Sequence, residues 1–70
     1  MRLITIAAAY SADLNLAIQW LHLNKAIKKI GPVQTNQGTY SAVLIPKHMF
    51  DKKKIKNLVK NKFGTFIKVL

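Results

Sequence analysis

Pro32-Val33-Gln34-Thr35-Asn36-Gln37-Gly38-Thr39-Tyr40-Ser41-Ala42-Val43-Leu44-Ile45-Pro46 lies between two stretches of helical character, and its reading decides the fold. Asn36-Gln37-Gly38 is a turn, with Gly38 free to take positive φ. Tyr40–Ile45 is a clear strand, stopped by Pro46. Pro32–Thr35 is a shorter and weaker strand. Residues 32–45 therefore form a hairpin. Without the weaker strand the order would be β-α-β-α-β; with it, two strands separate the helices.

Upstream, Arg2–Ala8 is apolar on both faces, which suits a central strand. Ser11-Ala12-Asp13 opens a helix, Ser11 as N-cap and Asp13 at the positive end of the dipole. Leu16, Trp20, Leu23, Ile27 and Ile30 form one stripe at helical spacing. Leu14, Ala17, Ile18 and Leu21 form a second, which continues into Lys25 and Lys28. Either stripe can face the core. Lys28 and Lys29 suit the negative end of a helix that Gly31-Pro32 stops. Downstream, Asp51 is the N-cap of a second helix, with Phe50 and Ile55 as a hydrophobic staple. Ile55, Leu58 and Val59 make its narrow apolar stripe, and Gly64 ends it. Thr65–Leu70 is a last strand.

The order β-α-β-β-α-β in 70 residues resembles the ferredoxin-like α+β sandwich. That resemblance implies a four-stranded antiparallel sheet with two helices on one face. It implies no function, because the fold hosts many. A chain this short is one domain, residues 1–70, and buries only about 60% of the surface its unfolded form exposes. Half the residues are apolar, too many for a disordered tail. There is no cysteine, hence no disulfide and no thiol chemistry, which favours a reducing, cytoplasmic setting. The apolar run after Arg2 is short for a signal peptide, and cleaving it would remove the best strand. No stretch is long enough to span a membrane.

Charge is the dominant feature. Twelve Lys+Arg face two acids, Asp13 and Asp51, for a formal charge of +10. Eleven of the cations are Lys; only Arg2 is Arg. Lysine is a point charge suited to phosphate backbones, whereas arginine is the fork that reads guanine edges. Residues 47–70 carry a net +7 and residues 1–46 a net +3. The Lys, Asn and Ile bias is that of an AT-rich coding genome, such as many bacteriophages have.

An enzyme is disfavoured. Asp13 and Asp51 both sit at helix starts, where capping and dipole pairing account for them. His22 and His48 lack a third metal ligand, there being no Glu and no Cys. The three glycines are isolated turn residues, not a phosphate loop. No catalytic residue, cofactor or metal is expected.

The second helix is the strongest signal. Lys52, Lys56 and Lys60 fall on one ridge, with Lys53 beside it. Like charges at that spacing repel by some tenths of a kcal/mol per pair. Lysines in the first turn also oppose the dipole, and a bound polyanion relieves both strains. The sheet is the second signal. With Ile4, Ile6, Val43, Ile45, Ile67 and Val69 toward the helices, the open face carries Tyr40, Leu44, Phe66 and Lys68. Tyr40 and Phe66 could stack bases, but the surrounding sequence lacks the RNP1 pattern. An apolar open face more often forms an interface, here a homodimer. Trp20 is either core or an exposed anchor for a partner.

The expected function is non-enzymatic nucleic-acid binding, to RNA or single strands. Lys52, Lys53, Lys56 and Lys60 contact phosphates, together with Lys25, Lys28 and Lys29. The alternative is a small, phage-encoded inhibitor or adaptor that docks on an acidic host-protein surface through Tyr40, Phe66, Leu44 and Trp20.

Overall fold

The computed structural model describes residues 3–70, apart from the side chains of Lys29 and Ile30. Arg2, the expected start of the first strand, lies outside the described residues. The elements in order are β1 (Ile4–Ala8), α1 (Ser11–Leu23), β2 (Ile27–Ile30), β3 (Gln34–Asn36), β4 (Thr39–Pro46), α2 (Lys52–Phe63), a 3-10 turn (Gly64–Phe66) and β5 (Ile67–Val69). The chain is a mixed α+β fold with one antiparallel sheet and two helices. The sheet has five strands where four were expected, in the order β2-β4-β1-β5, with β3 also on β4.

The hairpin forms as expected, between β3 and β4. Its two turn residues, Gln37 and Gly38, both take positive φ, 52° and 80°. That conformation matches the twist of the strands it joins. The extra strand comes from the end of the first helix. Residues 27–30, expected to be helical, are β2 and pair with residues 44–46 of β4. Helix α1 stops earlier, in a Schellman arrangement. The Lys25 N–H donates to the His22 carbonyl at 2.9 Å and the Ala26 N–H to the Leu21 carbonyl at 3.0 Å. Lys25 takes φ 56°, a left-handed conformation usually filled by glycine. Nothing in its residue type announced the stop. Asn24 helps hold it, its side-chain amide donating to the Trp20 carbonyl at 2.8 Å.

Beyond β2 the Gly31 N–H donates to the Val43 carbonyl at 2.7 Å. A Cβ on Gly31 would lie 3.2 Å from that oxygen, so glycine permits the close approach. Pro32 then has no N–H to give, and β2 and β3 part there.

The open choice on α1 is decided, and the face assignment of β4 reverses. On α1, Leu14, Ala17, Ile18 and Leu21 are buried. Leu16 and Leu23 are 56% and 82% exposed. The rival stripe had drawn on Ile27 and Ile30, which belong to a strand, and so lost its length. On β4, Ala42 and Leu44 face the core, opposite Ile6 and Ile4. Val43 and Ile45 face away. Thr39 and Ser41 share their side, so the opposite choice would have buried two hydroxyls. Leu44 is therefore 0% exposed and not an open-face residue. The N-cap of α1 is Tyr10, with no side-chain cap bond, rather than Ser11.

The core joins Ile4, Ile6, Ala8, Ala42, Leu44 and Ile67 of the sheet to α1 and to Ile55 and Val59 of α2. Leu21→Ala is expected to cost about 2–5 kcal/mol in urea denaturation. Leu16→Ala should stay within about 0.5 kcal/mol of the parent. The opposite ranking would mean that the other stripe faces the core. Lys25→Gly should raise stability by up to about 1 kcal/mol, since the left-handed backbone no longer carries a Cβ.

Candidate functional site

Helix α2 is tethered by little. Ile55 and Val59 are its only buried residues, and Asp51 caps it by accepting from the Lys54 N–H at 2.8 Å. Phe50, the staple residue, packs against the core that contains Ile55. With Ile55 and Val59 inward, the helical period places Lys52, Lys56 and Lys60 along one exposed flank, with Lys53 next to it. Lys54 turns elsewhere. Its ammonium lies 5.1 Å from the centre of the Phe50 ring, a cation–π contact. Lys52, Lys53, Lys56 and Lys60 thus form a cluster of exposed positive charge.

This flank faces β5. Lys56 and Lys60 line a groove of about 360 Å³ with Thr65, Lys68 and Leu70. Lys68 was not among the expected contacts. Its Cα pairs with Ala7, on the side of the sheet away from the core. β5 is an edge strand, pairing only with β1 among the described residues. The Leu70 N–H donates to the Thr5 carbonyl at 2.8 Å. Antiparallel alternation then turns the amide groups of Ile67 and Val69 outward, along the groove. The groove is therefore lined by three lysines beside a free backbone edge.

The remaining expected contacts are elsewhere. Lys25 sits in the turn after α1, and Lys28 is exposed on β2 where the pairing register slips. β2 is the opposite edge of the sheet from β5, so neither joins the ridge. The side chain of Lys29 lies outside the described residues. Phe66 is 71% exposed but belongs to the 3-10 turn, not to the sheet face. Tyr40 is half-buried on the helix side and packs on the core. Trp20 is also half-buried, edge-on to Phe63 with ring centres 5.8 Å apart. It fills the seam between the helices rather than standing free as an anchor.

The reversal on β4 changes the make-up of the open face. Thr5, Thr39 and Ser41 occupy much of it, beside Leu3, Val43 and Ile45. The surface that suggested a homodimer is thus more polar than the sequence implied. His22 and His48 are exposed and on different elements. Among the described residues no three His, Cys, Asp or Glu side chains come together. No described helix is long and apolar enough to cross a membrane.

Comparison with protein-family models, curated proteins and solved structures returns no match to this chain.

The cap at Asp51 governs how well α2 presents its lysines. Asp51→Ala should cost about 1 kcal/mol and speed hydrogen exchange at the Lys54 amide, while Asp51→Ser retains most of the protection. Equal exchange in all three proteins would show that packing alone holds the helix start.

Proposed function

We propose that this domain binds single-stranded nucleic acid through its sugar–phosphate backbone, without catalysis. The observation that carries the reading is the groove lined by Lys56 and Lys60 from α2 and Lys68 from β5. A concave basic groove tracks one backbone, whereas reading duplex DNA calls for an element that projects into the major groove. Lys52 and Lys53 extend the positive flank beyond the groove. Lysine contacts position a phosphate without reading a base, so selectivity among sequences is weak. The gain in binding is also a gain for the helix, because phosphates relieve the repulsion along the ridge.

The fold reading goes with this one. Taken as one edge strand interrupted at Gly31-Pro32, β2 and β3 together lie beside β4. We read the domain on that basis as a ferredoxin-like sandwich with a broken second strand.

A second reading, docking on an acidic protein surface, draws on the free edge of β5. An extended acidic segment adding to that edge would place its carboxylates near Lys56, Lys60 and Lys68. Nuclease treatment separates the two readings, since only nucleic-acid binding is lost.

Anisotropy of a labelled oligodeoxythymidine across a salt series tests the first. Contacts from Lys52, Lys53, Lys56, Lys60 and Lys68 imply a slope of log K against log salt of about −3.5. Lys56→Gln with Lys60→Gln should flatten the slope by about 1.4 units and weaken all sequences alike. The double variant should remain folded, since like-charge repulsion in α2 falls. Wild-type protein that binds neither RNA nor DNA at low salt would overturn the reading.

A further inference from the structure

A second concavity adjoins the groove. It has a volume of about 270 Å³ and is walled by Tyr10 and Phe66, with Asp13 and Lys68 also on its lining. The two aromatic residues are far apart in sequence. The β1–β5 pairing brings them together, because Ala8 pairs with Ile67. Tyr10 follows the end of β1 and Phe66 immediately precedes β5. Both are unusually bare, Tyr10 69% and Phe66 71% exposed. Ala7, Ala8 and Ala9 also line it, and these small residues add little bulk to the cleft.

We infer that the cleft between Tyr10 and Phe66 holds one unstacked nucleobase of a strand whose phosphates follow Lys68, Lys60 and Lys56. The inference rests on the nucleic-acid reading above and deepens it, adding a base-holding site to a phosphate path. Three features carry it. Thr65 and Lys68 line both the cleft and the groove, so the two adjoin across the edge strand β5. The cleft falls just below the range of about 300–1,000 Å³ usual for small-molecule pockets, which suits a single planar ring system. The Asp13 carboxylate on the lining repels phosphate, so the neutral part of a nucleotide enters and the charged part stays at Lys68. Every base has a π-face, so stacking between two aromatic walls tolerates any sequence, in keeping with contacts made by lysine alone.

The test compares an oligodeoxythymidine with an abasic oligomer of equal length, which keeps the phosphates and removes the bases. Wild-type protein should bind the base-bearing strand about tenfold more tightly. Tyr10→Ala and Phe66→Ala should each lose most of that difference. They should bind the abasic strand as wild type does, with an unchanged salt slope. Tyr10→Phe should retain the preference. Both positions are exposed, so the variants should fold, which circular dichroism checks. Equal wild-type affinity for the two strands, or a Tyr10→Ala/Phe66→Ala double variant that keeps the preference, would overturn the base site while leaving the phosphate reading intact. Binding of neither strand would overturn both.

Discussion

Strands β1 and β4 lie side by side over five consecutive residue pairs, from Ile4 with Leu44 to Ala8 with Tyr40. That register is the constraint on which the rest depends. It sets Ile4, Ile6, Ala42 and Leu44 on one face, and both helices must cover them. A shift by one residue would exchange every side chain on β4 between core and solvent. It would bury Ser41 and Thr39 and expose Ala42 and Leu44. The small Ala42 and the equally small, fully buried Ala17 of α1 let helix and sheet approach closely. The stripe of α1 that meets this surface is therefore the one centred on Ala17 and Ile18, and Trp20 is left at the border, against Phe63.

The same register positions the basic groove. β1 pairs with β4 on one side and offers β5 its other. β5 has only three residues, and it brings Ile67 into the core and Lys68 to the far side. Helix α2 buries only Ile55 and Val59, with Phe63 partly covered against Trp20, and turns most of its remaining residues to water. An anchorage this slight leaves most of the helix surface free for lysine. It also means that repulsion along the ridge has few apolar contacts to offset it, which raises the importance of the Asp51 cap. Binding of a polyanion and stability of α2 are thus coupled through one charge cluster.

The sequence by itself determined the local features with local causes. Gly38 in the turn, Pro46 at the end of β4, Asp51 as cap and Gly64 past α2 each act on their own neighbourhood, and each was legible. So was the ridge of Lys52, Lys56 and Lys60, because helical spacing alone creates it. The end of α1 was not legible. Lys25 in a left-handed conformation and Ile27–Ile30 as a strand follow from an edge of β4 that needed hydrogen bonds, and residues 27–30 are apolar enough for either state. The faces of α1 and β4 were equally open, since each has apolar residues on two sides and only their mutual packing selects one. Tyr10 near Phe66 is a product of strand pairing between distant segments, while Lys60 and Lys68 come to one groove because α2 folds back along β5. No spacing in the sequence encodes either: the first is decided by the register of β1 and β5, the second by how α2 packs on β5.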